Sequence, residues 1–317
     1  MISRRILRVK VMQVLFSHEI SGEERSDSLE KMLLMRIDKT KQLYYVYLQY
    51  LIEVCQYALV DAAKRANKHI QEESDVNINT TIAHNSIITG IQASEHYKRI
   101  LNTQTISSFI DQKLVKELFK KLQASDKYVK FCEIKKHAKA DEVEILRYIS
   151  KKIIGASQSL DEHLAEYFMG LEDDHFITLH SLQKKLKDYA EMDEHLFLKS
   201  FLLEVEDIEE IEFSKDLLSN NLNHRDELNK IIEPRLKNWD MDRVAVMDII
   251  LIQLAVTEFL FLPHIPLKVS LNEYIDISKE YSTSKSKDFI NGILDKVMKV
   301  LNDEGKIQKL GRGLINN

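Results

Sequence analysis

From residue 244 to residue 262 the chain is apolar on nearly every side, interrupted only by Asp248, Gln253, Thr257 and Glu258. A helix that apolar all round belongs inside a bundle. Pro263 and Pro266 end it, because proline lacks an amide donor and clashes with the preceding turn. Ser270 and Glu273 then read as a capping box, with Val269 and Tyr274 as its hydrophobic staple, so a second helix is expected to start near Leu271. The polar run 282–287 closes that helix. In a third, Phe289, Ile293 and Val297 recur every four residues, as do Ile290, Leu294 and Met298.

At the other end, Leu7, Val11, Val14 and Leu15 form an apolar stripe on a helix whose first turns are basic. Arg4, Arg5, Arg8 and Lys10 all precede the first acid, Glu19. At ~100° per residue the three arginines fall within roughly a third of the circumference. Cations at a helix N-terminus oppose the macrodipole by ~0.3–1 kcal/mol each when exposed. An incoming phosphate, which pairs bidentately with guanidinium, would offset that cost; a solvated, frayed terminus is the plainer alternative.

Between these ends the pattern predicts helices over 28–69, 84–101, 105–122, 126–136, 141–154, 160–169 and 178–190, broken by the polar stretch 75–81. Tyr44, Tyr45, Tyr47 and Tyr50 share core spacing with Leu43, Leu48 and Leu51 and read as packing. The run 204–212 holds six acids and reads as a linker or helix start. No internal repeat and no low-complexity tract occurs.

Composition agrees with an all-α protein: 317 residues contain 3 Pro and 8 Gly, too few breakers for a turn-rich fold. The net charge of −5 excludes a generic polyanion binder, so nucleic-acid contact would need a local patch. Cys55 and Cys132 lack metal or disulfide spacing, which suits a reducing cytoplasm. No signal peptide is read, and the longest apolar run carries Gln253 and Glu258 and ends in prolines, which marks a core helix and not a membrane span. Enzyme chemistry finds no foothold. Glu172 and His175 form a single ExxH where a di-metal bundle needs two, and no phosphate-binding glycine loop or nucleophile elbow occurs. No metal site and no cofactor are expected.

The strings DRVAVMD, AVTEF, IPLKVSLNE, SKEYS and FINGILDK, in that order, resemble the C-terminal half of the NusB family of bacterial transcription antitermination factors. SRRILRVKVMQVLF, at 3–16, resembles that family's arginine-rich first helix, Gln13 and Phe16 included. Residues 213–236 resemble, less specifically, the helix pair before the apolar helix. Together the two end matches cover about a third of the chain. The resemblance implies an all-α, NusB-like helical bundle: residues 1–19 as its first helix, 205–301 as its remainder, 302–317 as a tail, and a large helical insertion at 20–204 to which no role attaches.

The resemblance also implies sites. The family's first helix faces RNA, which carries over to Arg4, Arg5, Arg8 and Gln13. So do the positions matching Tyr281 and Phe289 and the loop between them, which holds Lys285 and Ser286; by their charge Lys279, Lys285 and Lys287 can meet phosphates. By their chemistry Tyr281 and Phe289 could stack on bases, yet Phe289 could equally be core and Ser286 a helix cap. Lys285 stands where an acid is common in compact relatives, and Gln253 where a base is common. Phe16 and Asp248 match positions facing the partner, the small-subunit ribosomal protein NusE; a buried Phe16 and an internally paired Asp248 are the alternative. The implied function is binding of boxA-type single-stranded RNA together with NusE in the RNA polymerase elongation complex, supporting ribosomal RNA transcription, without membrane or catalysis. A non-catalytic helical protein–protein scaffold is the competing class. A fused RNA cytosine methyltransferase is excluded by its missing parts.

Overall fold

The computed structural model describes residues 3–21, 26–67, 78–103, 105–168, 170–189, 201, 208–236 and 244–311, with the side chains of 26, 27 and 171–173 left out. Asp242 and Arg243 of the DRVAVMD string, the acids 204–207, the Glu172 side chain and residues 312–317 of the tail lie outside that description. Among the described residues there are helices and turns and no strand. The chain divides into two compact units, Asp38–Glu206 and Ile2–Ile37 with Asp207–Asn317. The family resemblance implies a first boundary at 19/20. The division falls at 37/38 because the start of the second helix stays with the N-terminal one: Arg36 Nη2 donates to Ser17 Oγ at 3.2 Å, and Glu30 pairs with Lys215 at 3.1 Å.

The N-terminal helices are α1 (Arg4–Ser21) and α2 (Ser26–Ala66). Unit one takes α2 from Asp38 onward and adds α3 (Ser86–Ala93), α4 (Glu95–Thr103), α5 (Gln112–Gln123), α6 (Asp126–Glu133), α7 (Lys139–Tyr148), a π-turn (Ile149–Ile154), α8 (Gln158–Ala165) and α9 (Leu171–Asp188). The helix starts follow from caps, and the one at Asp111 falls inside the helix expected over 105–122. Asn85 accepts from the amides of Ile87 and Ile88 to start α3, Asp111 from Lys113 to start α5, and Ser125 from Tyr128 to start α6. The tyrosines of α2 are core, as their spacing predicts. Tyr44 OH donates to the Phe201 carbonyl at 2.9 Å and Tyr50 OH to that of Phe109 at 3.0 Å, so burial strands neither hydroxyl. His175 serves the same interior: its Nδ1 lies 2.6 Å from Tyr47 OH and 3.0 Å from Asp161. Among the described residues no cluster of His, Cys, Asp and Glu could hold a metal.

Unit two joins α1 and the start of α2 to α10 (Ile208–Asn223), α11 (Arg225–Ile232), α12 (Val246–Phe261), α13 (Leu267–Tyr281) and α14 (Ser286–Asp303). The apolar helix α12 is central and packs against α1, α10, α11, α13 and α14. Its residues Leu251, Ile252, Leu254, Ala255, Val256 and Phe259 are fully covered. Its four polar residues each address a different neighbour. The Asp248 carboxylate accepts from Ser282 and Ser286 beside α14, and the Gln253 amide donates to Asn229 of α11. Thr257 accepts from Asn221 of α10, and Glu258 accepts from α1 and α13. Buried polar groups must be paired, and here the pairing sets the register of each packed helix.

One expectation fails. The helix after the prolines starts at Leu267, not near Leu271, with Pro266 at its cap. Ser270 is buried and gives its hydroxyl to Glu258 at 2.5 Å, Glu273 pairs with Arg5, and Val269 is exposed. The capping box and its staple do not form, because their members are claimed by other helices. No helix among the described residues is long and apolar enough to cross a membrane. We expect Leu251→Ala to lower stability by about 2–5 kcal/mol through loss of buried volume. Exposed Val269→Ala should shift it by no more than about 0.5 kcal/mol. Urea denaturation of the full chain reads both, and comparable losses would contradict this packing.

Candidate nucleic-acid interface

The three arginines of α1 do not share one environment. Arg4 is 40% exposed, pairs with Glu210 of α10 at 2.7 Å and lies over the Phe213 ring. Arg5 is 38% exposed and reaches α13, with Nε 3.0 Å from Glu273 and Nη2 2.8 Å from Asp276. Arg8 points inward and is 2% exposed. Its Nε donates to Glu258 Oε1 at 2.6 Å and its Nη2 to Oε2 at 3.0 Å. Tyr274 OH donates to Oε1 at 2.7 Å and Ser270 to Oε2, so the fully buried carboxylate holds four donors. The Phe213 and Tyr274 rings lie 5.2 and 5.8 Å from the guanidinium carbon. Burial alone would lower the Arg8 pKa, but attraction and hydrogen bonds from Glu258 outweigh it and hold the charge on. Arg8 therefore meets a carboxylate of its own fold.

Arg5 and Lys279 are brought together. Lys279 Nζ lies 2.6 Å from the other oxygen of Asp276, so the two cations flank one acid. The hydrogen bond from Lys279 is the largest influence on the Asp276 carboxyl; burial opposes it, and the added pull of Arg5 keeps the group below its ordinary range. Tyr281, half-buried, ends α13. In the loop that follows, Lys285 and Lys287 are exposed.

That loop is pinned from below. Asp248 accepts from Ser282 Oγ at 2.5 Å and from Ser286 Oγ at 2.8 Å, and Ser286 Oγ also accepts the Thr283 amide at 3.2 Å. Lys285 caps α14, so Ser286 is its first residue and not its cap. Asp248, Ser286 and Phe289 are all buried. Phe16 and Gln13 are half-buried on α1, where Gln13 accepts from Lys10 at 3.2 Å. The arrangement thus offers Arg5, Lys279, Tyr281, Lys285 and Lys287 outward, and Arg8, Asp248, Ser286 and Phe289 inward. What sequence reasoning missed was Glu258 as the partner of Arg8. An acid in the middle of an all-round apolar helix needs buried donors or a cation to pair with, and that was the available signal.

Comparison with known proteins gives a family. A family model described as the NusB family matches residues 175–299. Proteins named "Transcription antitermination protein NusB" align with the chain. That of Desulfatibacillum aliphaticivorans is 41% identical over 98 residues, 31% of this chain and 68% of that protein. The chain belongs to the NusB family. The protein of the same name from Salinibacter ruber is 40% identical over 104 residues (33% of this chain), and that from Chloroherpeton thalassium 37% identical over 112 (35%). The chain spans 65% and 53% of those two relatives' lengths. No solved structure matches the chain. The NusB match begins at residue 175, within α9 of unit one, and runs through unit two to α14.

Asp248→Ala would remove the acceptor that ties Ser282 and Ser286 to α12. We expect a loss of about 1–3 kcal/mol from the orphaned buried hydroxyls, with faster amide exchange confined to 282–287. Hydrogen-exchange mass spectrometry reads it. Unchanged protection of that loop would contradict the pinning role.

Proposed function

We propose that this chain is a non-catalytic RNA-binding antitermination factor. It binds boxA-type single-stranded RNA together with the ribosomal protein NusE, within the RNA polymerase elongation complex and in the cytoplasm, and so supports ribosomal RNA transcription. The observation that carries this reading is the convergence of Arg5 and Lys279 on Asp276, beside Tyr281 and the lysine-bearing loop, in a chain belonging to a family whose named members are transcription antitermination proteins. Phosphate can compete with Glu273 and Asp276 for these cations, since charge pairs at a half-exposed surface are individually weak. Tyr281 would supply a ring on which a base stacks. Gln13 and Arg4 extend the contact along α1. Arg8, Ser286 and Phe289 act from beneath, holding the elements that carry the surface. Phe16 contributes to the NusE face, and Asp248 acts there by fixing the loop.

One observation favours the alternative of a helical scaffold: Arg4, Arg5 and Arg8 each already hold a carboxylate. RNA binding at two or more salt concentrations separates the readings. If about four phosphates are neutralised, the log–log salt slope on a short boxA-type RNA should be near −3, at ~0.7 per contact. Replacing Arg5 and Lys279 with Ala should weaken binding across RNA sequences and flatten the slope by about 1.4. Tyr281→Ala should instead change preference among sequences with the slope nearly intact. Binding should tighten when NusE is added. If the Arg5/Lys279 variant binds like the parent, with or without NusE, the scaffold reading replaces this one.

A further inference from the structure

Cations are distributed unevenly in this chain. Residues 113–152 hold twelve Lys and Arg against six Asp and Glu, a net of +6 in a chain of −5, which leaves −11 for the rest. In both units some cations are paired: Arg4, Arg5, Arg8, Lys215, Arg225 and Lys279 in unit two, and Arg65 and Lys98 in unit one, each hold a carboxylate. In unit one, Lys127 pairs with Glu144 and Lys139 lies over the Tyr189 ring. Lys113, Lys116, Lys120 and Lys121 of α5 and Lys151 and Lys152 of the π-turn are exposed and hold no ion pair among the described residues.

Their placement is specific. At ~100° per residue, Lys113, Lys116 and Lys120 share an arc of about 60°. It faces away from Val115, Leu118, Phe119 and Leu122, which are buried in the unit-one core. Glu117 is the acid on that face. Lys113 and Lys120 are about 10 Å apart along the axis, a length that about three phosphates span at ~3.4 Å each in a stacked strand. The π-turn packs against α5, and its Lys151 and Lys152 are exposed. Its shape is fixed by Gly155, whose amide donates to the Ser150 carbonyl at 3.0 Å. A Cβ at Gly155 would stand 2.8 Å from Leu179 Cδ1 and 3.0 Å from that carbonyl, so only glycine fits without a shift.

We propose that α5 and the adjoining π-turn form a second nucleic-acid surface, one that takes the phosphate backbone of single-stranded RNA without regard to sequence. Lysine is a point charge lacking the planar fork that reads base edges or clamps a phosphate in one orientation, so this surface positions and does not specify. A lipid surface fits less well. Interfacial binding needs apolar side chains to insert, and the apolar residues of α5 lie on its opposite side.

The test uses the full chain and two probes, uridine-only RNA of about 20 nucleotides and a boxA-type RNA of about 12. The variant carries Lys113→Gln, Lys116→Gln, Lys120→Gln and Lys121→Gln; these residues are exposed, so its melting curve should match the parent's. If two of the four contacts are made, the uridine RNA should bind at least about tenfold more weakly near 0.1 M salt, with a slope flatter by about 1.4. Lys→Arg replacements at the same positions should restore it. Uridine binding equal to the parent's overturns this inference and leaves the boxA reading standing. Loss on uridine RNA, with boxA binding indifferent to Arg5 and Lys279, upholds it and sinks the boxA reading. Lysine-dependent binding to vesicles containing about a quarter phosphatidylglycerol, with no binding to RNA, overturns it in favour of a membrane surface.

Discussion

A single carboxylate organises unit two. Glu258 is wholly buried in the apolar helix α12 and is tolerable there only because both its oxygens are saturated, by Arg8 of α1 and by Ser270 and Tyr274 of α13. Removing two charges from water costs several kcal/mol per ion after relaxation, and attraction across a low-dielectric interior repays this only when geometry and further hydrogen bonds are good. A leucine pair would serve equally well as filling. What an apolar pair lacks is direction. The bidentate fork of Arg8 fixes the height and rotation of α1 on α12, although 250 residues separate the partners in sequence. With α1 fixed, Arg5 is delivered to Glu273 and Asp276 of α13, where Lys279 of the same helix already holds the other oxygen of Asp276.

The same logic runs along α12. Asp248, Gln253 and Thr257 each hold one more neighbour. Asp248 sits under the loop between α13 and α14, so the loop's lysines are displayed on a fixed frame. This division of labour explains why residues that share a helix face in sequence serve different ends. Arg4 and Arg5 stay near the surface and Arg8 turns inward, although all three fall in one third of the circumference. A cation is drawn to the nearest unsatisfied acid, and for Arg8 that acid is inside.

The all-α class and the central position of the apolar helix were legible in the chain, because sparse breakers and all-round hydrophobicity admit few other outcomes. The core role of Tyr44, Tyr45, Tyr47 and Tyr50 was legible for a related reason, their spacing with Leu43, Leu48 and Leu51. Less legible were choices made by tertiary pairing. Ser270 carries the local signature of a helix start, yet its hydroxyl serves Glu258. The Asp111 cap carries no hydrophobic period, so a reading based on period runs one helix over 105–122 and misses the start of α5. In the candidate site, Arg5 and Lys279 were found by charge and resemblance, but their shared contact with Asp276 needed the fold. The lysines of α5 were invisible as a group because the chain's net negative charge hides a local excess.

Whether the Arg8–Glu258 pair couples α1 to α12 is measured directly by a double-mutant cycle. Unfolding free energies would be taken from urea titrations of the parent, Arg8→Met, Glu258→Leu and the double variant. Each single change should lose about 3–5 kcal/mol, since it strands one buried charge. The double variant should lose less than the sum of the two, by about 2–3 kcal/mol. Additive losses would show that the two residues contribute independently, and the pair would then not be what sets α1 in place.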